Sequence, residues 1–287
     1  MVRLEQAIIM DREAQTSDTA VFRKNLPKAG HYSAIDIGIR ITNGATSAQG
    51  IDLLDALKHI SLVLNGNDYR YHLSGHEFFR YQWMKYGKPM FYTWTQSASG
   101  VQEVWFRMDF GRFLGDKDFG LDLSRFNNAQ IQVDYDCTLM GAAAVTTWTT
   151  GTFAISIIAH QFPYGSRPAF RGMIGTRNFY SGTTLASGDL VQDLPSANPI
   201  LALGVMCIED AIADATDITD IKVGNNQFST VWIDGKWYNF QRMQNHELTV
   251  REEIFKLFAD DAQTTDSHMN NIRSATAKCR AVTTAIA

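Results

Sequence analysis

The chain has 287 residues, is 45% hydrophobic and 20% charged, and carries a formal net charge of -4. That length is about two domains' worth of chain; with no Lys/Arg run longer than two residues, specific nucleic-acid binding across a basic face is excluded. Three widely spaced cysteines, Cys137, Cys207 and Cys279, argue against a disulfide framework or a CxxC metal site and for assembly in a reducing compartment.

Residues 1–20 are expected to form an N-terminal arm outside the main domains. Leu4, Ala7 and Ile8 share a helical face, so the arm is either a short helix or an extended segment before the polar Thr16–Thr19 stretch. From Val21 to about Gln161 the pattern is mostly strand. Ile35, Ile37, Ile39 and Ile41 alternate on one face. Gly50–Ile60 predicts a helix, with Leu53, Leu54 and Leu57 on one stripe and Asp52 near its start. Ile60–Tyr71 predicts a hairpin turning at Asn65-Gly66, a pair that tolerates positive φ. His76–Tyr86 follows as a short helix capping the Gly75 end. Phe91–Trp94 pairs with Val101–Phe106 across SASG, and Ile131, Val133 and Tyr135 share a face, as do Phe153, Ile155 and Ile157.

Gln161–Pro168 packs two prolines and a glycine into eight residues and marks a domain boundary, giving domains at 21–162 and 163–287. The second half repeats the first. Asn65 falls on Asn225, Leu73 on Ile233, Gly75 on Gly235 and Phe78 on Tyr238; Leu26–Ile41 is answered by Leu194–Glu209 and Phe126–Cys137 by Met269–Val282. Order is kept while spacings drift, as when loops are inserted between fixed strands. Strands are expected at Leu201–Ile208, Ile221–Val223, Phe228–Ile233 and Thr276–Thr283, with a helix at Leu248–Phe258. The fold class is all-β: two tandem antiparallel jelly-roll β-sandwiches with a few short helices.

Signatures of chemistry are sparse. The sequence has no GxSxG, GxxxxGK[ST] or GxGxxG after a strand, and His72 and His76 do not stand in HExxH order. No catalytic residue or organic cofactor is expected. Asp116 and Asp118, in GDKDFG, are a weak metal pair without the third carboxylate and distal Glu of a calcium loop; a structural divalent cation is the one cofactor they would suit. Asp210, Asp214, Asp217 and Asp220 form a looser acidic cluster, and Arg167, Arg171 and Arg177 a spread basic set, both read first as solvated surface.

Aromatic side chains are abundant, with 17 Phe, 10 Tyr and 6 Trp, and Tyr81–Trp94 is too dense in them to be wholly interior. Phe78, Phe79, Trp83, Tyr86, Trp94, Trp232, Trp237 and Tyr238 are therefore the interface candidates.

RMDFGRFLGDKDFGLDLSRFNNAQIQVDYD (Arg107–Asp136), TRNFYSGTTLASGDLVQDLP (Thr176–Pro195) and the strand-turn-strand-Gly-aromatic hairpin in each half are similar to the double jelly-roll major capsid proteins of small membrane-containing icosahedral bacteriophages, the corticoviruses and finnlakeviruses. Leu121-Asp122-Leu123 departs from the Leu-Pro-Leu element of large-virus relatives. The resemblance implies a non-enzymatic coat protein in the virion, assembled in the host cytoplasm. Its partners would be itself, as homotrimers and then neighbouring capsomers, and minor capsid and vertex proteins, with indirect membrane contact on the inner face. Two other readings share the architecture: a glycan-binding or glycan-processing double jelly roll, and a minor vertex or spike protein.

Overall fold

The structure is a computed structural model and describes residues 4–45, 52–86, 90–95, 97–138, 148–149, 151–164, 168–183, 191–194, 200–206, 220–225, 230–236 and 278–286. The predicted helix at 248–258 lies outside them. Two compact units are present: Met1–Phe179 with Asp193–Gly204 and Ala281–Ala287, and Tyr180–Gln192 with Val205–Arg280.

In chain order the elements are β1 (Glu5–Ala14), β2 (Thr19–Asn25), β3 (His31–Thr42), α1 (Leu53–Ala56), β4 (Leu57–Leu64), β5 (Asp68–Leu73), α2 (Gly75–Tyr86), β6 (Tyr92–Thr93), β7 (Val101–Asp109) and β8 (Leu121–Asp122). A 3₁₀ turn at Leu123–Arg125 leads to β9 (Ala129–Asp136) and β10 (Ala154–Gln161). Beyond these come β11 (Ile174–Thr183), β12 (Ile200–Met206), β13 (Asp220–Asn225), β14 (Thr230–Lys236) and β15 (Lys278–Ile286). Among the described residues no helix is long and apolar enough to cross a membrane.

The strand order decides the architecture. One sheet runs β1-β10-β3-β7-β6, with β8 beside β3, and the other contains the run β5-β4-β9-β2. The first strand thus pairs with the last and the second with the next to last. The third lies on the far side of the last, and the fourth on the far side of the next to last. Leaving aside the two-residue strands β6 and β8, eight strands distributed in this way make a jelly roll. Its β1 is a correction to the sequence reading: Glu5–Ala14 is no arm outside the roll but its first strand, antiparallel to β10 with Ala7 opposite Ala159. Register shifts between Ile8 and Met10 and between Met10 and Glu13 broke the periodicity that would have revealed it.

Alternation builds the core between the sheets. Ile35, Ile37, Ile39, Phe106, Met108, Ile155 and Ile157 from one sheet, and Ile60, Leu62, Tyr71, Leu73, Ile131, Val133 and Tyr135 from the other, are buried. Tyr135 stacks on Phe153 at 4.1 Å between ring centroids, and Phe78 of α2 stacks on Phe106 at 5.0 Å. The outward side of β3 is covered too: Gly38 lies beneath the Trp105 indole, where a Cβ would come within 2.7 Å of the ring.

Two predicted helices turn out differently. The expected Gly50–Ile60 helix shrinks to one turn, capped by Asp52 accepting from the Leu54 N–H. The chain is extended from Leu57 because β4 is laddered on both sides, by β5 and by β9, and this pairing overrides the local helical stripe. The second helix, α2, is three turns long. It starts on Ser74 and Glu77, the Glu77 carboxylate accepting from the Ser74 N–H at 2.8 Å.

The β4–β5 hairpin turns at Asn65 (φ 51°) and Gly66 (φ 85°), as the Asn-Gly pair predicts. Its counterpart β13–β14 is an antiparallel hairpin pairing Val223 with Ile233 and Asn225 with Thr230. Asn65 opens its turn whereas Asn225 ends a strand, so the matched asparagines are not structurally equivalent.

In the second half the strand order β12-β15-β11 repeats the β3-β10-β1 order of the first roll, and the sheet continues into β5 through parallel pairs of Thr176 with Tyr71 and Arg177 with His72. By this order β12 answers β3, as the sequence match of Leu26–Ile41 to Leu194–Glu209 implies. β15, however, answers β10. The match of Phe126–Cys137 to Met269–Val282 joined β9 to the wrong partner, because alternation alone looks alike in every half-buried strand.

Candidate assembly surface

The residues between β7 and β8 form a tightly braced loop. Asp116, 1% exposed, accepts hydrogen bonds from the Arg112 backbone N–H (3.1 Å), from Arg112 Nε (2.8 Å) and Nη2 (3.0 Å), and from the Asp118 N–H (2.9 Å). Arg112 Nη2 also donates to Asp118 at 2.7 Å. The Gly115 N–H, at a residue with φ 87° that suits glycine, donates to Ser33 Oγ of β3 at 2.8 Å. Backbone bonds from Arg171 to Asp118, from Gly120 to Gly172 and from Ile174 to Phe110 staple the loop to the strand entering β11.

Electrostatics follow from that bracing. Burial by itself raises the Asp116 carboxyl, but hydrogen bonds from the Arg112 guanidinium and from two backbone N–H groups outweigh it and bring it down to about 2. The same bonds to Asp116 and Asp118 hold Arg112 above its ordinary range. Asp116 and Asp118, the metal candidates, are therefore corrected: their cation is Arg112. Among the described residues no group of three or more His, Cys, Asp or Glu side chains converges in a way that would hold a metal ion.

Beside the exposed Arg112 and Lys117, the loop displays an apolar tip. Phe113 is 61% and Leu114 44% exposed, and the Arg112 guanidinium lies 5.8 Å from the Phe113 ring and 5.1 Å from that of Phe119. Ile8, Phe91, Tyr164 and Val191 are exposed as well. None of these was among the interface candidates. The readable signal was an apolar pair set between Gly111 and Gly115 in a charged loop, where no strand alternation exists to bury it.

The interface candidates divide. Phe78 and Phe79 are corrected to core residues: Phe78 is fully buried against Tyr71 and Phe106, and Phe79 packs on Tyr92 at 5.0 Å, so neither has surface to offer a second subunit. Trp83 and Trp94 are half-buried, and Tyr86 is exposed with Lys85 Nζ 5.5 Å from its ring. Trp232 lies on β14, whereas Trp237 and Tyr238 lie outside the described residues.

Several buried polar groups among the described residues are paired within the fold. Asp36 takes Arg107 Nε at 2.6 Å and Nη2 at 2.8 Å, with His160 Nε2 at 2.7 Å. Burial opposes its charge, and these partners, Arg107 first, still hold it below the usual carboxylate range. Nearby, burial raises Asp109 despite Lys85 Nζ at 2.8 Å. His76 meets Asp55 at 2.6 Å, while His72 meets Ser61 at 2.9 Å and stacks on His59 at 4.3 Å, so the two sequence-flagged histidines share no ligand. Burial and the neighbouring His59 lower the His72 pKa. Burial lifts the Cys137 thiol to about 12, which keeps it protonated.

No family model matches the sequence, and no curated protein does. Solved structures do. The STIV MCP is 13% identical, with a TM-score of 0.65 over 99% of this chain and 96% of that one. A chain in the atomic structure of Sulfolobus Turreted Icosahedral Virus is 12% identical, with a TM-score of 0.63 over 99% and 90%. The major capsid protein P2 from bacteriophage PM2 is 12% identical, with a TM-score of 0.54 over 99% and 98%. The chain folds as a double jelly roll. Among the described residues the β12-β15-β11 order of the second half repeats β3-β10-β1, as two rolls in one chain require.

Proposed function

We propose that this double jelly roll is a viral major capsid protein: a structural subunit, not an enzyme, that self-assembles as trimers into an icosahedral shell around a membrane. The observation carrying the reading is one chain in which the β12-β15-β11 run of the second half repeats the β3-β10-β1 order of the first roll. Its likeness over 99% of its length to capsid proteins of two viruses supports it. Three copies of two rolls would present six similar blocks, which suits hexagonal tiling. The mechanism is burial of subunit surface, for which obligate interfaces commonly use more than about 2,000 Å². Location in the virion, assembly in the host cytoplasm, contacts with minor capsid and vertex proteins and membrane contact on the inner face belong to the same reading.

Light scattering on the purified protein tests it. A species of three times the 32.2 kDa chain is expected, with closed shells or sheets in electron micrographs as concentration rises. A monomer that persists at high concentration would overturn the proposal. Binding to a glycan array by such a monomer would favour the sugar-binding alternative.

A further inference from the structure

We propose that the Phe113-Leu114 tip is a self-assembly knob, and that it seats in a cavity at the foot of the first roll of a second copy, lined by Arg70, Gly120, Asp122, Arg125, Phe126 and Met173. This inference rests on the capsid reading and names one of its contacts.

Rigidity is the first argument. An exposed apolar pair in a floppy loop loses much of its binding energy to ordering, whereas this pair is already fixed by the hydrogen bonds of Asp116 and by the staples to Gly172 and Arg171. Such preorganised aromatic side chains are what interface hot spots use.

Charge selects the occupant. Within Phe110–Gly120, Arg112 and Lys117 are balanced by Asp116 and Asp118, and Arg112 is bound by both carboxylates. An anionic lipid surface gains little from a neutral loop. The cavity, in contrast, suits an aromatic ring: half-buried Phe126 supplies apolar contact, Met173 being almost wholly buried, and Arg70 and Arg125 bring two guanidinium planes of the kind that stack on such rings. Their charges are met within the chain, Arg70 by Asp68 at 2.8 Å and Arg125 by Asp122 at 3.3 Å, so an uncharged ring is the suitable guest.

Height completes the case. Tip and cavity lie at the same end of the strands: the tip's loop leaves β7 at Asp109, opposite Ala34 near the start of β3, and Asp122 of the cavity pairs with His31 at that same start. Subunits standing side by side in a shell bring features of equal height together. A knob and a hole that differ in position on one molecule then make a head-to-tail contact, which closes into rings.

A double-mutant cycle on the full-length chain, read by sedimentation, tests the contact. Phe113→Ala is expected to weaken self-association about 30-fold and Arg70→Ala by about tenfold, while Phe113→Trp restores it. Coupling should leave the double variant no weaker than Phe113→Ala. Unchanged thermal melting of each variant reports an intact fold. If wild type assembles and Phe113→Ala assembles equally well, or if the two effects simply multiply, the knob is wrong and the capsid reading survives. A wild type that never associates removes both. A Phe113→Ala variant that associates normally but no longer binds phosphatidylglycerol vesicles would assign the tip to lipid and overturn the inference.

Discussion

Asp116 is almost wholly buried and yet ionised, because Arg112 meets it from both backbone and side chain, at 3.1, 2.8 and 3.0 Å. Its folded pKa of about 2 lies below the ordinary aspartate range, so its stabilising contribution is complete above about pH 4 and is lost as pH falls toward 2. The protection factors of amides across Gly111–Gly120, taken against the intrinsic exchange rate at each pH, are expected to fall over that window. Asp116→Asn should already be less protected at pH 7, at a cost of about 1 kcal/mol, and should show no further change on acidification. A loop equally protected at pH 2.5 and pH 6 would contradict the pairing.

Burial predicts opposite outcomes for two aromatic side chains of α2. Phe78→Ala removes a ring stacked between Tyr71 and Phe106 and should cost about 3–5 kcal/mol in urea unfolding. Tyr86→Ala, 38% exposed, should stay within about 0.5 kcal/mol in the same experiment. Comparable losses would mean that α2 is placed wrongly on the core.

These two residues show what was legible in the sequence. Local alternation located β3, β5, β9 and β10, and Asn65-Gly66 located a turn, because each signal sits inside one segment. Whether Phe78 faces a partner or the core depends on Phe106, 28 positions away on β7, and no local pattern carries that information. β1 was missed for a related reason: two irregularities in ten residues remove the period, and only its pairing to β10 makes it a strand. The loop tip was passed over because GDKDFG was read for its carboxylates, when the decisive residue, Arg112, stands four positions earlier.

The approach of Trp105 to Gly38 is a packing constraint that a single methyl group would break. Gly38→Ala places a Cβ within 2.7 Å of the indole, whose Nε1 is held by Glu103 at 2.8 Å and cannot easily swing away. The expected cost is about 1–3 kcal/mol, read from the urea midpoint. In a Trp105→Ala background the same substitution should cost markedly less. Equal costs in the two backgrounds would show that the indole is not what excludes the methyl group.

Asp36, Arg107 and His160 join β3, β7 and β10 across the sheet, and the carboxylate is the member on which the others depend. It stays charged in a buried setting because Arg107 offers two parallel N–H bonds, so Arg107→Ala strands a buried anion and should cost about 3–5 kcal/mol at pH 7. Replacing both partners by apolar residues, as in Asp36→Leu with Arg107→Met, removes the stranded charge and should recover most of that loss. Because the Asp36 pKa is lowered on folding, the wild type should lose stability as pH falls through and below the ordinary carboxylate range, and the apolar pair should lose less. Urea titrations of the three proteins at pH 7 and pH 3 measure both effects. A double variant as unstable as Arg107→Ala would show that the ion pair contributes more than mutual neutralisation.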